Sequence, residues 1–337
     1  MGIRRMGIRV VSGIVMGAAC FAAPGAYAGQ IASEHFASAA LGRELPVLVY
    51  TPSGDAPAQG WPVLYLLHGH GGDETSWRDL GDIGPTLDEM IGSGAIRPQL
   101  VVMPGVGDSW YVDSASVGGP GNYETALTRD LPAAVEERYP VRRDRGGRAI
   151  AGLSMGGFGA LRLSLAHPDS FIASVALSPG MWQNIPADEL DLAPEAMSVI
   201  GKSQYFHRNS VDDVTEGVDI PPAPPYFGAS FGQPFDGRLF NRLNVFTLLE
   251  DAIIADVPLP AMYVTVGDDD SHALWRGAIA FFETMKADDR PVEFRVTDGD
   301  HVWLLWSQTI RDGLTFIEGH WTDLPAARPS HGETAAE

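Results

Sequence analysis

Pro62-Val-Leu-Tyr-Leu-Leu-His68 is an unbroken apolar run with no polar alternation. A strand with one wet face alternates polar and apolar side chains, so this run reads as a strand covered on both faces. The pattern returns at Gln99 to Met103 and Arg148 to Leu153, and Phe171 to Leu177, Ala261 to Val266 and Val292 to Val296 read as further strands. Between these lie stretches with helical spacing. Tyr123 to Tyr139 places Ala126, Leu127, Leu131 and Val135 on one face, and Met155 to Ala166, Ala273 to Lys286 and Val302 to Phe316 follow it. Strands alternating with helices predict β-α-β units, hence an α/β fold with a mostly parallel, doubly wound sheet. Gln30 to Ser38 and Glu44 to Thr51 read as a leading antiparallel pair.

The chain has 337 residues and no internal repeat, so one large domain over 29–320 is expected, with a flexible tail over 321–337. The exception to the alternation is 181–244, which is irregular and contains Pro221-Pro-Ala-Pro-Pro225. A long structureless insertion in a compact domain predicts a lid or mobile loop, here over the active site.

The N-terminal stretch reads as a signal peptide. Arg4, Arg5 and Arg9 are basic, Val10 to Ala23 is apolar and rich in small residues, and Ala26-Tyr27-Ala28 offers an A-x-A cleavage site. A transmembrane anchor is the alternative, but the run is short and diluted by Gly13, Gly17 and Pro24. Cleavage after Ala28 would deliver a secreted or periplasmic protein with no later segment able to span a bilayer. Cys20 is the only cysteine, and Gly17 stands where a lipoprotein signal wants a branched residue. The rest of the chain therefore relies on packing rather than disulfides. The formal charge is −20, and losing three arginines makes the remainder more acidic still. Nucleic acid and anionic membrane surfaces are disfavoured as partners.

Gly152-Leu-Ser154-Met-Gly156 has the G-x-S-x-G form of a nucleophile elbow. A serine hydroxyl attacks only when it is exposed, oriented and next to a base, and a tight strand-to-helix turn meets the first two needs. A chain with 39 glycines produces chance matches, and Gly228-Ala-Ser230-Phe-Gly232 is a second one. Ser154 follows the apolar run Ala149 to Leu153 and opens a helical stretch, whereas Ser230 has no strand before it and reads as loop. Among nine histidines, His301 in Asp298-Gly-Asp-His301 lies past the last strand and follows the serine in the order Ser, acid, His. His272, at a helix start beside an acidic run, is the competitor. Gly267-Asp268-Asp269-Asp270 supplies three candidate acids, and spacing does not choose among them. Helix capping and weak cation binding are the bland readings of that run.

His68-Gly69-His70-Gly71-Gly72 hints at metal, but two histidines lack further spaced ligands. An oxyanion loop is the better reading, with the backbone N–H groups of His70 and Met155 as donors. Trp77, Trp303 and Trp306 are candidates for an acyl or aromatic pocket, and core packing explains them as well.

Several strings together carry a resemblance. They are Val63 to Gly72, Tyr123-Glu-Thr-Ala-Leu-Thr-Arg-Asp-Leu-Pro132, Ala151 to Leu161, Ala166-His-Pro-Asp169 and Gly299-Asp-His-Val-Trp303. In this order they resemble the esterase D-like family of α/β-hydrolases, which includes feruloyl and acetyl xylan esterases, S-formylglutathione hydrolases and secreted mycolyltransferases. The resemblance implies an α/β-hydrolase fold and a Ser-His-Asp triad. The family's Gly-x-x-Asp pattern picks Asp270. Where the family usually shows Gly-Gly-His, this chain has Gly-Asp-His, so Asp300 is a departure.

The expected activity is serine carboxylic ester hydrolysis, with a small-molecule or carbohydrate-linked ester as substrate and no metal or cofactor. Acyl transfer to a sugar or alcohol is the first alternative. A non-catalytic carbohydrate- or partner-binding protein on a hydrolase scaffold is the second. S-formylglutathione hydrolysis is disfavoured, because that substrate is cytosolic and the chain reads as exported.

Overall fold

The computed structural model describes residues 27–193 and 226–322. Most of the signal stretch, Cys20, the run Pro221 to Pro225 and nearly all of the expected tail lie outside these residues.

Eight strands form one sheet in the order β1-β2-β4-β3-β5-β6-β7-β8. They are β1 (Gln30–Ser38), β2 (Arg43–Thr51), β3 (Val63–Leu67), β4 (Leu100–Pro104), β5 (Arg148–Leu153), β6 (Ala173–Leu177), β7 (Ala261–Gly267) and β8 (Glu293–Thr297). β1 pairs antiparallel with β2, and β2 with β4. Every pair from β4 through β3 and on to β8 is parallel. All residues of β3, β4 and β6 are buried, the polar Ser174 of β6 included.

Side chains of successive strand residues point to opposite faces, and two cores follow. Val63, Tyr65 and Leu67 face one core, with α2 (123–138), α3 (Met155–Ala166), α5 (Val245–Ile254) and α6 (Trp275–Ala287) against it. Leu64 and Leu66 face the other, covered by α1 (Ile83–Gly92) and α7 (Trp303–Glu318). α2 begins as one α-turn, widens into a π-turn over Ala126–Asp130 and continues as Leu131–Arg138. Within α3 all residues up to Leu165 are buried, which the small side chains Gly156, Gly157, Gly159 and Ala160 permit. α1 and α5 were not anticipated by the sequence reading.

Of the insertion, residues 181–193 and 226–244 are described. Its described C-terminal part is folded: turns over Tyr226 to Phe235 lead into α4 (Gly237–Leu243), which Asp236 caps by accepting from Arg238 N and Leu239 N. Phe227, Phe231, Phe235 and Phe240 are buried and pack on one another. Phe227 also meets Trp110 and Trp182 edge to face. This part of the insertion is core rather than a loose lid, because four phenylalanines have more to gain from burial than from solvent. Among the described residues no helix is long and apolar enough to cross a membrane.

Candidate active site

Strand order reverses at β3, whose neighbours are β4 and β5. In open α/β sheets such a switch point leaves a crevice at the C-terminal strand ends. Ser154 sits there, immediately after β5, with φ 52° and ψ −119°. This strained conformation lifts the side chain out of the strand-to-helix turn. Both flanking glycines are needed for close approach. A Cβ on Gly152 would lie 2.3 Å from Gly156 O, and one on Gly156 would lie 2.6 Å from Leu67 O and His68 O.

His301 Nε2 lies 3.0 Å from Ser154 Oγ, and His301 Nδ1 lies 2.8 Å from Asp270 Oδ2. An ionised carboxylate only accepts, so Nδ1 carries the proton and Nε2 accepts from the serine hydroxyl. Asp270 is 2% exposed, and its Oδ1 accepts from His272 N at 3.0 Å and Leu274 N at 3.4 Å. Asp268 and Asp269 point to solvent. The His301 ring is held edge-on by Trp306 at 4.8 Å and by His272 at 4.7 Å. Burial, and then the neighbouring His301, push the His272 imidazole below its ordinary value, so it is neutral at neutral pH.

The loop after β3 abuts the serine, and a Cβ on Gly69 would lie 3.3 Å from Ser154 Cβ. His68 is structural: Nδ1 lies 2.8 Å from Gly69 O, and Nε2 accepts from Val106 N. Burial lowers its pKa and keeps it neutral, which suits one donor and one acceptor nitrogen. Tyr111 Oη donates to His68 O, and Asp108 accepts from Gly71 N at 2.6 Å. Those bonds hold the His70 segment. Met155 N belongs to the first turn of α3, where helix geometry leaves N–H groups without an intrahelical acceptor.

These groups open onto a cavity of about 630 Å³ lined by Ser154, His301, His70, Trp303, Trp306 and Tyr226 among others. Trp77 does not line it. That side chain is 1% exposed, donates from Nε1 to Leu67 O and braces Trp303 edge-on at 5.3 Å, so it is core. Ser230 is buried in a turn and donates to Asp108 O. Tyr226, from the insertion, stacks on His70 with ring centroids 4.5 Å apart, a contact sequence reasoning missed. Leu80 and Val302 at the cavity margin are exposed apolar residues, also missed. Asp268, Asp269 and Asp298 hold carboxylate oxygens within 4.8 Å of one another, an exposed acidic cluster of the kind common without an ion.

The sheet order, the strained serine after β5 and the crevice beside it define an α/β-hydrolase fold. Residues 38–220, more than half the chain, match the family described as "Putative esterase", and the chain belongs to that family. It is 33% identical over 160 residues to an endo-1,4-beta-xylanase/feruloyl esterase of Xylanibacter ruminicola, a match covering 46% of this chain and 22% of that protein. It is 35% identical over 150 residues to a diacylglycerol acyltransferase/mycolyltransferase Ag85A of Mycobacterium gordonae, covering 42% of this chain and 40% of that one. The matches thus span well under two thirds of these curated relatives. A solved ferulic acid esterase aligns with a TM-score of 0.64 at 25% identity, covering 87% of this chain and 99% of that one.

Proposed function

We propose that the chain is an exported serine carboxylic ester hydrolase working through an acyl-enzyme, with Ser154 as nucleophile, His301 as general base and Asp270 as its orienting acid. The observation that carries this reading is the relay of 2.8 and 3.0 Å from Asp270 through His301 to Ser154, at an open cavity. Ser154 Oγ attacks the ester carbonyl carbon while its proton passes to His301 Nε2. The carbonyl oxygen becomes an oxyanion facing the N–H groups of His70 and Met155. Collapse breaks the C–O bond, and His301 returns the proton to the departing alcohol. Water then gives a proton to Nε2 and attacks the acyl-serine. The second collapse frees the carboxylic acid and restores the Ser154 hydroxyl. The Asp270 carboxylate stabilises the imidazolium formed in each half-reaction.

Acyl transfer is the second reading, favoured by the likeness to the mycolyltransferase. An alcohol would resolve the same acyl-enzyme in place of water. The test is a panel of nitrophenyl esters of rising chain length, feruloyl esters and acetylated sugars, run with and without a sugar acceptor. Hydrolysis without acceptor, lost in Ser154→Ala and kept in Ser230→Ala, is expected. Undiminished turnover in Ser154→Ala would refute the serine mechanism. Acylated sugar outpacing free acid would favour transfer.

A further inference from the structure

The base and the acid stand on different loops, and their separation depends on how those loops are joined. β7 leads into the acid loop and β8 into the base loop. Three bonds lace them on the strand side of the catalytic pair. Asp268 N donates to Thr297 O at 3.0 Å, Asp269 N to Gly299 O at 3.1 Å, and Gly299 N to Asp268 Oδ1 at 3.1 Å. The next rung again comes from a side chain. Asp300 Oδ1 accepts from Ser271 N at 2.7 Å and from His301 N at 2.6 Å. One oxygen thus joins the residue after the acid to the base itself. Both contacts are short and charge-assisted, the stronger class of hydrogen bond. The 2.8 Å contact between Asp270 and His301 lies directly beside this rung. A glycine at this position would offer no oxygen for either N–H.

We infer that Asp300 is a positioning residue: its carboxylate clamps the acid loop to the base loop and so fixes the geometry in which Asp270 meets His301. The inference rests on the triad reading above. Asp300 acts through the two N–H groups on the loops that carry the acid and the base. Its role as acceptor is separable from its charge, because an asparagine Oδ1 accepts the same two bonds without the charge.

Asp300→Ala, Asp300→Asn and His301→Ala are compared by steady-state kinetics on nitrophenyl acetate and by thermal melting. A small displacement of a catalytic group can cost about 100-fold, so kcat of Asp300→Ala should fall about 10- to 100-fold with KM little changed and melting near the parent. Asp300→Asn should recover most of the rate. Parental kcat in Asp300→Ala would overturn the clamp. So would an Asp300→Asn variant as slow as Asp300→Ala, since charge rather than bridging would then be at work. If Asp300→Ala does not fold, Asp300→Gly takes its place with the same expected outcomes. An active His301→Ala would remove the triad reading itself, a result distinct from failure of the clamp.

Discussion

Asp270, Asp269 and Asp268 are chemically identical and adjacent, and only their surroundings separate them. Asp270 is buried against the imidazole, while Asp268 and Asp269 face solvent. A carboxylate that holds the base and stabilises its protonated form is worth about 10⁴-fold in turnover in a well-studied triad. Asp270→Asn should therefore cripple turnover with a near-parental melting temperature. Asp269→Asn should leave the rate close to the parent, and Asp268→Asn should cost at most a little stability through its bond to Gly299 N. A crippled Asp269→Asn beside an active Asp270→Asn would reverse the assignment. The Gly-x-x-Asp pattern had pointed to Asp270 by resemblance alone; burial supplies the physical ground for the same choice.

At the scale of elements, a partly buried ionic junction ties α2 and α3 to the end of the insertion. Glu124 Oε2 pairs with Arg162 Nη2 at 2.6 Å, and Oε1 lies 2.8 Å from His167 Nε2. Arg162 also donates to Leu243 O and Tyr111 O, so one guanidinium reaches three segments. Burial alone would raise the Glu124 pKa, but the His167 hydrogen bond and the Arg162 charge outweigh it and hold the carboxyl at about 2, below the ordinary 4.5. A folded pKa below the unfolded one contributes stability above pH 4.5 that is lost as pH falls towards 2. Denaturant midpoints for the parent and Glu124→Gln should differ most near neutral pH, with the parent more stable. The gap should close between pH 4.5 and 2. A gap independent of pH would show that the junction acts through shape rather than charge. The same junction ties the described end of the insertion to the core.

For the whole molecule, the signal reading makes a claim about where the chain begins in its working form. Arg4, Arg5, Arg9 and the Ala26-Tyr-Ala28 tripeptide motivate cleavage after Ala28. N-terminal sequencing of the exported protein should start at Gly29, one residue before β1. A mature form that retains Arg4 and Arg5 would refute the proposal. The acidic excess, −20 for the full chain, makes weak retention on nucleic acid or anionic vesicles the expected behaviour of that mature form.

The order of the strands along the chain and most of their limits were legible from the sequence. Continuous burial on both faces leaves an uninterrupted apolar run, and β5 and α3 fall at the limits expected from theirs. Ser154 was legible for the same local reason, since an elbow needs glycines on both sides of one residue. Tertiary structure decided what depends on distant segments meeting. It put Trp77 beneath Trp303 rather than in the cavity, brought Tyr226 onto His70, and folded the aromatic end of the insertion into the core. The phenylalanines at 227, 231 and 235 already stood at one-turn spacing, but a helical period does not say against what it will pack. Asp300 shows the same division. The sequence marks it as a departure beside the base, and only the approach of two loops 29 residues apart gives its oxygen a second partner.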